Sequence, residues 1–354
     1  MNAVQNPVIL EDLERIAAAP LPWDRFAGTT VLVTGANGFL PAYLVETMLH
    51  LNDSRRANVR VVGLVRSVKR AADRFAVHAG RTDLTLVEHD ASQPYPTAGP
   101  VDWIVHAASP ATPSSYLADP VGTVAPNVAG THHLLTLARD KQSAGFLFFS
   151  SGEVYGPTPA RVPTAESDYG PVDPLDVRSV YAEGKRAGET LCAAFARQYG
   201  VRATVVRPFH TFGPGMRLDD GRVFADFVRD ICDRRDIVMK SAGLATRAFT
   251  YLADATAGFF TVLLKGEPGA AYNVANDGGE LSIAGLADLL AATFADRGIA
   301  VRRAEPTAAE LAVTSKLQRS CPDVSRLRAL GWVPETSVAD GFVRTVRSCE
   351  WRPA

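Results

Sequence analysis

Three side chains in this sequence have the types and spacing to move a proton and a hydride together. Tyr181 and Lys185 stand four apart in Tyr181-Ala182-Glu183-Gly184-Lys185, so a helix puts phenol and ammonium on one face. An ammonium beside a phenol favours tyrosinate and lowers a pKa that is ordinarily about 10. Upstream, Ser151 follows an apolar run in Phe149-Ser150-Ser151-Gly152-Glu153-Val154-Tyr155-Gly156. Its hydroxyl can complete a relay from a substrate hydroxyl to the phenol while hydride leaves for a nicotinamide. A bare Tyr-x-x-x-Lys is commonly surface decoration on a helix, and its weight here comes from what precedes it.

What precedes it is Gly35-Ala36-Asn37-Gly38-Phe39-Leu40, between the β-branched run Thr29 to Thr34 and a segment of helical spacing, Pro41 to Leu51. Glycines at a strand-to-helix turn allow a tight bend and close backbone approach, so the helix N-terminus can meet a pyrophosphate. The spacing is G-x-x-G, and Pro41 stands where a third glycine is expected, at a helix start that tolerates proline. Asp90, after a strand at 84–87, can accept from an adenine amine or serve only its own turn. Ala107, Ala108 and Ser109 follow the next strand and are small enough to line a cofactor. The second strand, Val59 to Val65, ends on Arg66 rather than on an acidic ribose ligand. Arg66 reads either as a 2′-phosphate ligand, hence NADP, or as a solvated residue stacking on adenine beside NAD.

Strands at 29–34, 59–65, 84–87, 103–105 and 146–149 alternate with helical segments at 41–51, 69–78 and 121–137. Alternation of this kind predicts βαβ units and a Rossmann-type, doubly wound parallel α/β sheet. The expected division is an N-terminal helix and arm over 1–28 and a dinucleotide-binding domain over 29–207 plus 246–266. A smaller C-terminal α/β substrate lobe takes 208–245 plus 267–354. Lys and Arg number 37 against 38 Asp and Glu, which gives no global field for nucleic acid or an anionic membrane. Four scattered cysteines lack metal or disulfide spacing, no apolar run is long enough to span a bilayer, and the first six residues lack a signal-peptide pattern. The expectation is a cytoplasmic, metal-free protein.

With these motifs the chain resembles the extended short-chain dehydrogenase/reductases, specifically the nucleotide-sugar epimerase/dehydratase group, over roughly residues 29 to 345. It is most similar to the UDP-glucuronate decarboxylases (UDP-xylose synthases). The stretches that carry the resemblance include Ser151 to Gly156, Tyr181 to Arg186, Phe212-Gly213-Pro214, Asp220-Gly221-Arg222-Val223, Thr246-Arg247-Ala248-Phe249 and Pro322-Asp323. The resemblance implies bound NAD, oxidation of the sugar at C4, chemistry on the 4-keto intermediate and return of the hydride. It implies Tyr181 as base, Lys185 on the nicotinamide ribose and Ser151 on the C4 oxygen. Arg222, Arg247 and, more loosely, Arg319 would hold the nucleotide sugar. It also implies a homodimer through a four-helix bundle built from helices near 120–138 and 180–199.

Three departures bear on the outcome. Dehydratases of this group place an Asp-Glu pair before Val-Tyr-Gly; here the pair is Gly152-Glu153, which keeps Glu153 as a C5 base and removes the acid. His210 stands in the slot of a substrate-binding Asn, and imidazole there can bind sugar, act as a second acid/base or simply fill space. Gly215 follows Gly213-Pro214 where decarboxylases carry an arginine, which points to a neutral sugar rather than a glucuronate. The leading reading is an NAD-dependent epimerase or dehydratase. The alternatives are a UDP-glucuronate decarboxylase, an NADP-dependent nucleotide-sugar dehydrogenase or reductase, and a non-catalytic dinucleotide sensor.

Overall fold

The computed structural model describes residues 5–110, 113–157, 159, 161–219, 221–305 and 317–352, of which 113–115 by their backbone alone. The motif residue Asp220 and the first four residues, on which the N-terminal reading leaned, lie outside that set.

The β-branched run forms β1 (Thr30–Thr34), buried at every position, as a strand covered on both faces must be. It lies within a seven-stranded sheet with β2 (Arg60–Val65), β3 (Leu84–Glu88), β4 (Trp103–His106), β5 (Gly145–Phe149), β6 (Ala203–Pro208) and β11 (Ala271–Val274). The order is β11-β6-β5-β4-β1-β2-β3, and every pairing is parallel. Chain order reverses between β1 and β4, which opens the crevice at their C-terminal ends where such sheets bind ligands. The sheet takes in β11, although the division read from sequence gave 267–354 to the smaller lobe. The pairing that recruits it, Ala271 to Val274 on Val205 to Pro208, is long-range and leaves no local signature.

Helices cover both faces. α1 (Pro7–Ala18) and α2 (Phe39–Arg55) pack with α9 (Leu252–Lys265), while α3 (Val68–Arg74) runs beside β3. α2 is apolar nearly all round, as a helix clasped between sheet and neighbours is. On the other face lie α4 (Pro113–Ala118), α5 (Pro120–Ala125), α6 (Thr131–Asp140) and α7 (Val180–Tyr199). The stripe expected as one helix over 121–137 is broken by a π-helical turn at Pro126–Gly130. Pro126 has no N–H to continue the α ladder, and a Cβ on Gly130 would stand 2.2 Å from the Ala91 carbonyl oxygen. α7 closes on Gly200 in the left-handed region, φ +68°.

The smaller lobe is built from α8 (Val223–Cys232), α10 (Ile283–Thr293), the C-terminal helix Val338–Glu350 and short strands. β7 (Thr211–Phe212) pairs with β10 (Thr250–Tyr251), and β8 (Ile237–Met239) with β13 (Val301–Arg303). β9 (Thr246–Ala248) lies between β12 (Glu280–Ser282) and β14 (Arg319–Ser320). Stacking of Phe212 on Phe342, 3.9 Å between centroids, ties β7 to the C-terminal helix. Among the described residues no helix is long and apolar enough to cross a membrane.

Candidate active site

The site begins with how β1 and β4 end. His106 is buried, and its Nε2 lies 2.9 Å from the Pro126 carbonyl, which can only accept; Nε2 therefore carries the proton. Nδ1 is then the acceptor for the Thr34 hydroxyl at 2.8 Å. The Thr34 oxygen accepts in turn from the amides of Ala107 and Ala108 at 3.1 and 3.0 Å. This chain of bonds fixes the backbone that faces the glycine turn.

That turn fits a dinucleotide. Gly35 has φ +64°, and a Cβ there would come within 2.9 Å of Ala108 Cα, so only glycine allows the two segments to approach. Gly38 is the N-cap of α2 and supplies no side-chain cap, which leaves the amides of Phe39 and Leu40 for an anion. Pro41 falls at the third helical position rather than the first, still within the turn that needs no amide partner. Asn37, beside Gly38, is half-buried, and Ser109 is held by Asn127 Nδ2 at 3.0 Å. Gly35 to Leu40 and Ala107 to Ser109 are thus brought together as expected. Arg66 is exposed at the end of β2. Asp90 turns its Oδ1 onto the amide and hydroxyl of Ser92, both at 2.9 Å, which with the nearby charges of His89 and Arg66 holds its carboxyl low.

The side chains expected to be catalytic meet where β5 and α7 face this crevice. Ser151 caps a short turn over Gly152–Tyr155, its Oγ accepting from the Glu153 amide at 3.2 Å while it hydrogen-bonds the Tyr181 phenol. Lys185 is buried; its Nζ donates to the Phe149 carbonyl at 2.5 Å and lies 5.6 Å from the Tyr181 ring centroid. The expected lowering of the phenol is not found. Burial pushes Tyr181 up to about 12, the Ser151 bond opposes this, and the Glu153 charge adds to it. Lys185 does not offset that burial because it is directed at a carbonyl, and burial pushes its own pKa down to about 7 against the pull of Glu189.

Opposite these groups stand the residues expected to hold a substrate. Arg247 on β9 is buried, its guanidinium forked onto the carbonyls of Thr246 at 2.7 Å and Leu317 at 2.8 Å. Glu153 faces it, and burial is what weakens its protonation. Arg222 caps α8 and lies over the rings of Phe39 and Phe224, 5.9 and 4.9 Å from their centroids, so it joins the glycine turn to the smaller lobe. His210 is buried, and burial together with Arg247 and Arg222 pushes it down to about 3. It is a neutral imidazole, suited to hydrogen bonding rather than to carrying a proton near pH 7.

Arg319 is not brought to the site. In the register it opposes Thr246, so it lies on the face of the small sheet opposite Arg247, bound to Glu280 Oε1 and Oε2 at 2.6 and 2.9 Å. A Cβ on Gly215 would lie 2.7 Å from the guanidinium of Arg74, which pairs at 3.7 Å with the fully buried Glu46 of α2. Position 215 therefore points toward α2 and α3. Gly152 is filled from outside: a Cβ would meet the Phe209 ring at 2.9 Å.

Reading the sequence missed Tyr116. Its ring stacks on Tyr181, 4.7 Å between centroids and 10° between planes, among the charges of Glu153, Arg178 and Arg222. It sits on a six-residue helix whose pattern carries no periodic signal.

The two buried histidines make an acid limit on stability. Both His106 and His210 are held neutral, with pKa values of about 3 in the fold against about 6.5 unfolded. The unfolded chain therefore binds more protons below about pH 6.5, and stability falls as pH drops through that window. At pH 5 the loss is about 2 kcal/mol for each imidazole. Thermal unfolding followed from pH 7 to 5 is expected to show a falling midpoint, and His106→Gln, which removes one imidazole, flattens the slope.

The parallel sheet and the glycine turn together define a dinucleotide-dependent α/β enzyme. The profile of the NAD dependent epimerase/dehydratase family matches residues 31–275. The chain is 33% identical over 313 residues to UDP-glucuronic acid decarboxylase 6 of Arabidopsis thaliana, covering 88% of this chain and 86% of the relative. It is 31% identical over 346 residues to UDP-glucuronic acid decarboxylase 1 of Xenopus tropicalis, covering 95% and 77%. The dTDP-glucose 4,6-dehydratase of Streptomyces venezuelae, solved with NAD, superposes with a TM-score of 0.72 at 25% identity, covering 90% and 96%. The UDP-glucuronic acid 4-epimerase of Bacillus cereus shares the fold, with a TM-score of 0.72 at 21% identity over 90% and 98%. The chain belongs to the NAD-dependent epimerase/dehydratase family.

Proposed function

We propose that this protein binds a nucleotide sugar beside NAD, oxidises the sugar at C4, and returns the hydride after the 4-keto intermediate has reacted. The observation that carries the reading is the meeting of Ser151, Tyr181 and Lys185 at the sheet's C-terminal edge, facing the Gly35–Gly38 turn. Bound NAD would supply the hydride acceptor. Gly35 to Leu40 and Ala107 to Ser109 would hold it. Ser151 orients the C4 hydroxyl, Tyr181 takes its proton, and Lys185 holds positive charge near the phenol. Arg247 and Arg222 face the nucleotide diphosphate, His210 donates or accepts a hydrogen bond to the sugar, and Glu153 stands as the base or proton donor at C5. Arg66, exposed at the end of β2, and Asp90 would border the adenine end.

A second reading, decarboxylation of a nucleotide glucuronate, is favoured by one observation. The curated relatives named above are UDP-glucuronic acid decarboxylases. Once C4 is a ketone, a C5 carboxylate is a β-keto acid and loses carbon dioxide without an acid at position 152. Dehydration of the 4,6 type lacks that acid. Incubation with UDP-glucose, UDP-galactose, dTDP-glucose and UDP-glucuronate, with products read by NMR and mass spectrometry, separates the outcomes. An epimer from a neutral sugar supports the first reading, and a pentose nucleotide with carbon dioxide supports the second. No turnover of any nucleotide sugar overturns both.

The same surface supports a homodimer. Leu117 on α4, Val121 on α5 and Val177 ahead of α7 are 54%, 73% and 52% exposed, apolar side chains left outside on the helical layer in which α5 and α7 pack together. Four free thiols, Cys192, Cys232, Cys321 and Cys349, suit the reducing cytosol.

A further inference from the structure

Glu189 lies two helical turns beyond Tyr181 and one beyond Lys185, on the same stripe of α7, and it is 8% exposed. Its carboxylate is fully engaged. Oε1 accepts from the Ser150 hydroxyl and from Arg207 Nε at 2.8 Å, and Oε2 accepts from Arg207 NH2 at 2.5 Å and from Tyr169 OH at 3.4 Å. Arg207 in turn donates to Tyr155 OH at 2.7 Å and to the Glu166 carbonyl at 2.8 Å. This network joins three pieces of chain. It binds the strand end that carries Ser151, the helix that carries Tyr181 and Lys185, and β6, whose Val206 carbonyl accepts the Ser150 amide at 2.8 Å.

The groups that face Lys185 are few. Tyr181, Glu189 and Cys192 come from its own helix and His106 from β4, while Phe149 supplies a carbonyl and Phe148 a ring face. His106 is neutral above about pH 3, and burial holds the Cys192 thiol protonated. Glu189 is thus the anion among the described residues that offsets the cost of burying the Lys185 ammonium.

We propose that Glu189 is a positioning residue for this reaction: its carboxylate keeps Lys185 charged in a dry site and ties the Ser150–Ser151 strand end to the catalytic helix. The proposal rests on the Tyr181–Lys185 chemistry proposed above for turnover, but its electrostatic part is a property of the folded chain. Removing the negative charge makes the ammonium harder to hold, so Lys185 loses its proton at lower pH.

The test reads Lys185 directly. The chain has six lysines, so Nζ-adjacent carbon signals in lysine-labelled protein can be assigned by substitution and followed with pH. In Glu189→Gln the Lys185 midpoint is expected about one unit below wild type, and in Glu189→Asp between the two. A Lys185 midpoint unchanged in Glu189→Gln, or in Glu189→Asp should only that variant fold, overturns the proposal. A wild-type protein that turns over no nucleotide sugar while its Lys185 midpoint still responds to Glu189 would sink the reading of function and leave the electrostatic coupling intact.

Discussion

Tyr181→Phe is expected to lower turnover by about 100-fold or more, the scale of losing a positioned general base, while fold and bound NAD are retained. Phenylalanine keeps the ring that stacks on Tyr116 and lies beneath Lys185, so packing survives. What disappears is the phenol oxygen that the proposed mechanism uses to receive the proton of the C4 hydroxyl. The loss should fall on kcat, with little change in substrate affinity, because the phenol oxygen acts on charge that develops during hydride transfer. Single-turnover rates, together with the NAD content of the purified variant, check this. Turnover near wild type in a folded, NAD-loaded variant would remove Tyr181 from the mechanism.

Arg247→Ala is expected to weaken binding of nucleotide diphosphates by about 10- to 100-fold, the range for losing a hydrogen-bonded charge. The guanidinium is buried, held by the Thr246 and Leu317 carbonyls, and close enough to His210 and Glu153 for its charge to bear on both. A fixed, poorly hydrated cation needs little reorganisation to meet a phosphate. Calorimetric titration with UDP and dTDP measures the change, and the unfolding midpoint controls for the lost carbonyl bonds. Unchanged affinity for both ligands in a folded variant excludes Arg247 from the phosphate site. Arg319→Ala serves as the contrast: its side chain is committed to Glu280 on the far face, so affinity should not move.

The parts legible in the sequence are those whose signals are local. The strand, glycine turn and helix from Thr30 to Arg55 follow from a β-branched run, two glycines and an apolar segment, each readable within a few residues. Tyr181 and Lys185 share a face because helical spacing dictates it. The direction of the Lys185 ammonium was not legible, since it depends on the Phe149 carbonyl, a partner from another element. The face on which Arg319 falls is set by strand register, which the sequence of β14 alone does not encode. The surroundings of Gly215 were not legible for a similar reason: Arg74, distant in sequence, takes the space that a side chain there would enter. β11 joins the main sheet through pairing with β6 and not through any pattern of its own four residues. Glu189 did carry a signal, lying four residues beyond Lys185 on the same stripe. A glutamate on a helix is ordinarily solvated, and only the buried Arg207 beside it shows otherwise.

The most direct test of oxidation at C4 with return of the same hydride uses nucleotide sugars carrying deuterium at C4. The enzyme with its bound NAD is incubated with labelled UDP-glucose and labelled UDP-glucuronate, and the products are read by NMR. Deuterium retained at C4 of the product, with no net NADH released, is the result predicted. Deuterium remaining solely in unreacted substrate, or appearing in stoichiometric free NADH, would contradict it.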